Sequence, residues 1–151
     1  MRRKGSLSAE FSAEVAFHDV DLARVTWHGH YLKYLENARW ALMHRIGYSL
    51  ERMLDSSEAW PIVDLQVKYL RAARFRDCLL VRATLVEWQN RLVVNYLVTD
   101  AATGERVVRA QTTQVVVDMQ AGRLRFELPE SFVARVEAAI VAAAAAQGAA
   151  P

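Results

Sequence analysis

The chain has 151 residues, of which 53% are hydrophobic and 24% are charged, so one folded domain is expected and a disordered or collagen-like chain is excluded. A formal net charge of +2 is too small for a protein that covers phosphate backbones, so nucleic acid is not an expected partner. Cys78 is the single cysteine, so no disulfide can form within the chain, and we expect a buried thiol and a cytoplasmic location.

The first ten residues are expected to form a mobile tail, and residues 11–146 the folded domain. The basic start, Met1 to Lys4, has no apolar run behind it of the kind found in a signal peptide. Apolar residues then occupy alternate positions from Phe11 to Phe17. This period of two predicts a first strand that has one buried face and ends near Val20.

A long helix is predicted from His30 to Gly47. Its apolar residues recur at three- and four-residue spacing, as on one face of an amphipathic helix; they are Tyr31, Tyr34, Leu35, Ala38, Leu42 and Ile46. Gly47 is suited to end the helix, because glycine readily adopts the left-handed conformation found just past helix ends. A short second helix is predicted between Ser49 and Ala59, before Trp60-Pro61 restarts the chain.

Four strands rich in Val, Leu, Thr or Tyr are predicted next. They run from Ile62 to Ala72, Cys78 to Trp88, Leu92 to Thr99 and Arg106 to Asp118. Short polar turns separate them, so consecutive strands are expected to pair antiparallel. The order of one strand, one long helix and four strands predicts an α+β domain in which an antiparallel sheet wraps around one central helix.

A C-terminal helix is predicted from Pro129 to Ala146, with Phe132, Val136, Ile140 and Ala143 on one stripe. Its Ala-rich end, from Ala138 to Ala150, is too short and too weakly apolar to span a bilayer, which needs about 20 apolar residues. Residues 147–151 are expected to form a tail.

Two segments carry a resemblance to a known family. The segment from Asp21 to Arg39, DLARVTWHGHYLKYLENAR, resembles the signature of the 4-hydroxybenzoyl-CoA thioesterase family of hotdog-fold proteins. In that signature an Asp ends the first strand, and a short loop, an aromatic–His pair, a small residue and a Tyr-rich helix follow. The segment from Val67 to Val81, VKYLRAARFRDCLLV, is similar to the family's strand–turn–strand segment. The resemblance covers the chain from about Phe11 to Phe132.

The chain departs from the family pattern at two places. The loop from Leu22 to Val25 contains no glycine, although the family often has glycine there. A positive φ angle, which glycine permits, is therefore costlier in this loop. Ala72 stands where the family often has Pro. Both departures bear on the conformation of the loop and on the ligand more than on the fold.

The resemblance implies a single-domain hotdog fold and an acyl-CoA thioesterase activity. Asp21 would be the general base or the nucleophile. The backbone N–H of His28, at the start of a helix, would stabilise the oxyanion, and Gly29 would allow the substrate to approach closely. Asp19 is a rival carboxylate that does not fit the family spacing. The CoA ester is the expected substrate, and no separate cofactor is expected.

The resemblance also implies a homodimer or homotetramer with its active sites between subunits. Two alternatives remain open: a thioesterase acting on acyl carrier protein, and a non-catalytic acyl-CoA-binding protein. Comparing the rates on thioesters of CoA and of acyl carrier protein tests the first alternative, and ligand binding without thiol release would identify the second.

Further residues are candidates for substrate binding. Trp27 and Tyr31 could contact the acyl group, although large aromatic residues are more often part of the core. The densest basic cluster could hold the phosphates of CoA or form a solvated charged edge that discourages unwanted strand pairing; it comprises Lys68, Arg71, Arg74 and Arg76. The spacing of His28 and His30 does not place both on one helical face, so a metal site is not expected.

Overall fold

The computed structural model describes residues 7–148. In chain order the elements are β1 (Ser8–Glu14), α1 (Tyr31–Ile46), α2 (Leu50–Asp55), β2 (Glu58–Ala59), β3 (Ile62–Tyr69), β4 (Cys78–Glu87), β5 (Leu92–Asp100), β6 (Arg106–Gln114), β7 (Val116–Asp118), β8 (Arg123–Arg125) and α3 (Glu130–Gly148). Two single-turn 3₁₀ helices, Phe17–Asp19 and His28–His30, lie between β1 and α1. Parts of both predicted tails, residues 1–6 and 149–151, lie outside the described residues, whereas Ser8 to Glu10 belong to β1.

One antiparallel sheet holds five strands in the order β1-β4-β5-β6-β3. Helix α1, about 24 Å long at 1.5 Å per residue, packs across β1 and β4. Leu35 and Leu42 of α1 share a buried core with Val81 and Leu85 of β4. The predicted α+β hotdog fold, a sheet around one central helix with a C-terminal helix, is therefore confirmed.

The predicted limits of α1 are confirmed to within one residue. Gly47 ends the helix in the left-handed conformation, with φ +83°, and its N–H donates to the carbonyl of His44. The second helix is shorter than predicted. Ser49 caps it by accepting a hydrogen bond from the N–H of Arg52, and the helix ends at Asp55.

The prediction that the first strand continues to Val20 is wrong. Strand β1 ends at Glu14, and Phe17 is exposed although it continues the alternating pattern. The carboxylate of Asp19 accepts the N–H of Ala16 at 2.9 Å, and the N–H of Asp19 donates to the carbonyl of Ala16 at 3.0 Å. These two bonds turn the chain into a 3₁₀ helix where an extended strand was expected.

Two predictions about strand pairing need correction. Consecutive pairing is confirmed for β4 with β5 and for β5 with β6, but β3 pairs with β6 at the sheet edge. The link between β3 and β4 is no hairpin, because the N–H of Thr26 donates to the carbonyl of Ala73 at 2.7 Å and ties the link to another loop. The predicted strand from Arg106 to Asp118 is two strands, and β7 joins β2 and β8 in a second, three-stranded sheet.

The expectation of a buried thiol at Cys78 is also wrong. Cys78 begins β4, pairs with Glu14 at the sheet end, and is exposed. The side chain of the next residue, Leu79, points into the core instead, because neighbouring residues of a strand face opposite sides of the sheet.

Helix α3 begins earlier than the Ala-rich segment and has 19 residues. Among residues 7–148 it is the one helix whose length and composition would allow it to cross a membrane, and 11% of that stretch is buried. Phe132 and Val136 of the same helix are fully buried in the core. The first half of α3 is therefore packed as part of the domain.

Phe132 anchors α3 to the rest of the domain. Its ring lies edge-on to Tyr48 at 5.3 Å and to Trp60 at 5.0 Å between centroids. Both contacts are of the edge-to-face kind that adds to the gain from simple burial.

We expect Phe132→Ala to lower the free energy of unfolding by roughly 3–5 kcal/mol, because it removes a fully buried ring and leaves a cavity. The matched control is Phe126→Ala, since Phe126 is 84% exposed, and its effect should stay within about 0.5 kcal/mol. Urea unfolding followed by tryptophan fluorescence measures both. Equal effects of the two variants would show that Phe132 does not anchor the helix.

Candidate active site

Asp21 lies at the start of a tight turn that its own backbone and side chain stabilise. Its N–H donates to the carbonyl of Val25 at 3.0 Å, and its carbonyl accepts the N–H of Arg24 at 2.9 Å. One carboxylate oxygen accepts the N–H of Ala23 at 2.8 Å. The second oxygen makes no hydrogen bond with any described residue. Asp21 is exposed, so its carboxylate is fixed through one oxygen and presents the other to solvent.

Arg24 takes the conformation that the missing glycine would have made easy. Its φ is +65°, in the left-handed region that costs a non-glycine residue roughly 1–2 kcal/mol. The sequence pointed to this strain through the absence of glycine between Leu22 and Val25. The turn that carries Asp21 is therefore held in a costly conformation.

Two backbone N–H groups are free at the entrance to α1. The 3₁₀ turn His28–His30 leads directly into the helix, and helix starts leave N–H groups without partners. The N–H of Trp27 donates to the carbonyl of Asp19 and that of His30 to the carbonyl of Trp27, both at 2.8 Å. No hydrogen bond within residues 7–148 uses the N–H of His28 or Gly29. These two groups can receive an oxyanion.

The requirement for glycine at position 29 has a local cause. A Cβ atom built on Gly29 would lie 2.5 Å from the ring of Trp27, so any larger residue forces that ring to move. The Trp27 ring also packs against the ring of His28 at 5.1 Å. Gly29 thus provides room for Trp27, in addition to the room for substrate that the resemblance implied.

Several predicted site residues meet at a small cavity. The cavity has a volume of about 280 Å³ and is lined by Thr26, His28, Tyr31, Tyr69, Leu70 and Arg71, with Ala72 beside them. The Tyr69 hydroxyl donates to the carbonyl of His28 at 2.7 Å, and the Tyr31 hydroxyl accepts the N–H of Ala73 at 3.1 Å. These bonds hold the entrance of α1 against the segment that follows β3.

The predicted basic cluster is divided among three surfaces. Arg71 lines the small cavity and forms an ion pair with Glu105. Lys68 lines a larger groove, about 670 Å³, across strands β3 to β6, where further basic residues are Arg82, Arg106 and Arg109. Arg74 and Arg76 lie on the exposed link before β4. The four residues do not form one cluster, because neighbouring side chains on a strand, and on the irregular link after it, point in different directions.

Asp19 is the buried centre of a polar network beside the site. Its carboxylate accepts the hydroxyl of Tyr34 at 2.6 Å and contacts the imidazole of His30. His18 lies on the exposed side of Asp19, and its Nε2 atom is 3.4 Å from a carboxylate oxygen of Asp19. The sequence alone presents Asp19 only as a rival of Asp21 for the role of the catalytic carboxylate. The missed signal was the pairing of this acid with Tyr34 on the buried face of α1.

The network sets the ionisation of its members. Burial opposes charge on Asp19, but the hydrogen bonds from Tyr34 and Ala16 and the nearby His30 and His18 together lower the pKa of this carboxyl below its usual value. Burial, followed by the hydrogen bond to Asp19, raises the pKa of Tyr34. Asp19 is therefore ionised and Tyr34 is a permanent donor near neutral pH. Among residues 7–148, no group of three His, Cys, Asp or Glu is placed to hold a metal ion.

Comparisons with known proteins identify the superfamily of this chain. The sequence profile of the thioesterase-like superfamily matches residues 15–136. The chain belongs to the thioesterase-like superfamily. It is 30% identical over 127 residues to sll0410 of Synechocystis sp., which is named as a candidate esterase; the match covers 80% of this chain and 73% of that protein.

A second relative is the acyl-CoA thioesterase YbgC of Haemophilus influenzae, 27% identical over 101 residues that cover 62% of this chain and 74% of YbgC. Among solved structures, Slr0204 of Synechocystis, a 1,4-dihydroxy-2-naphthoyl-CoA thioesterase, superposes with a TM-score of 0.78 at 21% identity, covering 85% of this chain and 95% of Slr0204. At that identity the superposition establishes the shared fold. Members of the superfamily that resemble this chain are thus named acyl-CoA thioesterases.

We expect Asp19→Asn to destabilise the fold by about 1–3 kcal/mol near neutral pH, because Tyr34 and Ala16 then lose a charged acceptor. The pKa of Asp19 is lower in the folded chain than in the unfolded one. Its contribution is therefore present above the unfolded value of about 4 and is lost as pH falls through the folded value.

Urea unfolding of wild type and Asp19→Asn over a range of acidic pH measures this difference. The two curves should converge toward acid. A constant difference across the range would show that the ionised carboxylate of Asp19 is not what stabilises the fold, and Asp55→Asn, in an exposed position, is the control for loss of charge.

Replacing Arg24 by Gly should relieve the strained turn and raise the free energy of unfolding by up to about 1 kcal/mol, less the entropy that glycine adds to the unfolded chain. Thermal unfolding compares it with Arg24→Ala, which removes the side chain but keeps the Cβ atom. Stabilisation by Ala as large as that by Gly would locate the cost in the arginine side chain.

Proposed function

We propose that this protein hydrolyses acyl-CoA thioesters. The observation that carries the proposal is the pair of free N–H groups at His28 and Gly29, seven and eight positions after a carboxylate with one free oxygen, Asp21. Thioester hydrolysis needs this combination, because a nucleophile must be generated on one side of the carbonyl and negative charge must be stabilised on its oxygen. Membership of the superfamily supports it.

In the proposed reaction the thioester carbonyl oxygen lies against the N–H groups of His28 and Gly29. Asp21 either takes a proton from water, which attacks the carbonyl carbon, or attacks that carbon itself to give a mixed anhydride that water then cleaves. The C–S bond breaks as the tetrahedral intermediate collapses, and the CoA thiolate leaves and gains a proton. One N–H donor of this kind contributes about 2.7–4 kcal/mol to the transition state.

The phosphates of CoA are proposed to contact the basic side chains nearest the site. Arg71 lines the cavity with His28 and Tyr31, and Arg74 and Arg76 follow on the exposed link. Arginine binds phosphate through two parallel hydrogen bonds. Lys68 lies in the groove along the sheet and is a weaker candidate than the sequence suggested. Trp27, half exposed and packed against the ring of His28, is proposed to contact the pantetheine or acyl group.

We propose a homodimer in which two copies pair along β3. Strand β3 is the edge of the five-stranded sheet, and nearly all of its residues are exposed. Its exposed apolar side chains include Val63, Leu65 and Tyr69. Pairing of two such edges would continue the sheet and bring a second chain near Tyr69, which touches the site through His28.

The test is thiol release from short, medium, long and aromatic acyl-CoA esters by wild type and Asp21→Asn. We expect turnover by the wild type and a loss of about 100-fold or more in the variant, because the carboxylate acts in the chemical step. Asp55→Asn is the matched control, since Asp55 is an exposed acid on α2. Activity that survives in Asp21→Asn would contradict the assignment of the base.

Two further measurements separate the remaining choices. Single turnover in water labelled with oxygen-18 gives unlabelled acid only if Asp21 forms an anhydride that water attacks at the Asp21 carbonyl; labelled acid results if water attacks the thioester directly or attacks the acyl carbonyl of the anhydride. The same acyl groups carried on acyl carrier protein compare the two thioester carriers. Binding of CoA esters by folded protein without any thiol release would favour the non-catalytic alternative.

A further inference from the structure

Two loops beside the candidate site present large apolar side chains and arginines to solvent. We call this surface the apolar–basic rim; it consists of Phe17, Leu22, Arg24, Arg74, Phe75 and Arg76. Leu22 is fully exposed, Phe17 is 78% exposed and Phe75 is 46% exposed. A soluble protein exposes scattered apolar residues routinely, but a contiguous group edged by charge marks an interaction surface.

Direct contacts join the two loops of the rim. The rings of Phe17 and Phe75 meet edge to face at 6.0 Å, and the Arg76 guanidinium lies 5.5 Å from the centre of the Phe75 ring. Val25 and Arg74 form an isolated β-bridge between the two loops. The N–H of Arg76 donates to the carbonyl of Val15 at 2.9 Å. The rim is therefore held by the fold rather than assembled by chance exposure.

The arginine side chains of the rim are exposed. No ion pair within residues 7–148 involves Arg24, Arg74 or Arg76. Three carboxylates lie in the same two loops: Asp19 is buried, Asp21 is exposed and Asp77 is partly exposed. Asp21 accepts the N–H of Ala23, and Asp77 accepts the N–H of Arg74, both at 2.8 Å.

We propose that the apolar–basic rim binds the surface of an anionic lipid bilayer. Apolar side chains at loop tips can enter the boundary between headgroups and acyl chains, while the surrounding arginines contact lipid phosphates. Leu22 and Phe17 protrude, and protruding side chains need a fluid medium rather than a matching pocket. This favours a bilayer over an acidic protein, whose rigid surface would have to supply a hole for each of them.

The position of the rim leaves it accessible in the proposed dimer. Phe17 follows β1 and Phe75 precedes β4, and these strands form the sheet edge opposite β3. Pairing along β3 would place the second copy at the other edge of the sheet from β1, which precedes Phe17. Binding to vesicles needs no turnover and no thioester, so it is measured without CoA, whose phosphates are also proposed to contact Arg74 and Arg76.

The test is co-sedimentation of the full chain with vesicles of phosphatidylcholine alone and of phosphatidylcholine mixed with phosphatidylglycerol, at low and high salt. We expect binding to the anionic vesicles that weakens with salt. Phe17→Ser with Leu22→Ser should weaken it about tenfold or more, and Arg74→Gln with Arg76→Gln about fivefold for each charge removed.

Two matched variants control for general hydrophobicity and charge. Leu54→Ser with Phe126→Ser removes side chains that are 74% and 84% exposed elsewhere, and Arg106→Gln with Arg109→Gln removes charges from the groove along the sheet. Both should bind vesicles like the wild type. Circular dichroism of every variant checks that the fold is retained.

Three results would overturn the proposal. The first is that the wild type does not bind anionic vesicles at low salt, or that the rim variants and the control variants lose vesicle binding equally. The second is a change of particle mass in light scattering when Phe17 and Leu22 are replaced, which would make the rim an interface between copies. The third is rim-dependent binding of an acyl carrier protein by a chain that does not bind vesicles.

Discussion

The ionised carboxylate of Asp19, buried in the 3₁₀ helix that follows β1, is the constraint on which the candidate site depends. A buried charge is costly unless hydrogen bonds and opposite charges offset the loss of water. Here the offset comes from Tyr34 of α1, from the N–H of Ala16 and from His30. The same residue therefore turns the chain out of β1 and fastens the start of α1. The positions of Asp21 and of the free N–H groups of His28 and Gly29 therefore depend on Asp19.

The site is completed by a segment far away in sequence. Contacts within four residue pairs join the entrance of α1 to the end of β3 and the residues after it, and they use both backbone and side chains. The pairs are Thr26 with Ala73, Val25 with Arg74, Tyr31 with Ala73, and Tyr69 with His28. The link between β3 and β4 is long because it must reach this point. The same link then carries Arg74, Phe75 and Arg76 outward. One connection thus supports the chemistry on its inner side and presents the rim on its outer side.

Local patterns in the sequence were sufficient for the parts of the fold that local forces determine. The spacing of apolar residues and Gly47 gave the limits of α1, and the polar turns gave the two hairpins from β4 to β6. The pairing of β3 with β6 joins segments about 45 residues apart, and no turn signal encodes such a partner. The resemblance to a known family directed attention to Asp21, but the role of Asp19 depends on Tyr34, fifteen positions later. The spacing of Lys68 to Arg76 suggested one patch, whereas the direction of each side chain depends on where β3 stops.

The open edge of β3 has a consequence for the colloidal behaviour of the chain. An edge strand of eight residues with exposed Val63 and Leu65 offers unpaired backbone groups to any other strand, and natural proteins guard such edges with charge or cover them. Here Asp64 and Lys68 are the charged side chains on the strand. Two charges slow the pairing of β3 with unrelated strands, whereas a second copy bound along β3 prevents that pairing. In the proposed dimer, conditions that separate the two copies, such as dilution followed by heating, would expose β3 to pairing with other strands.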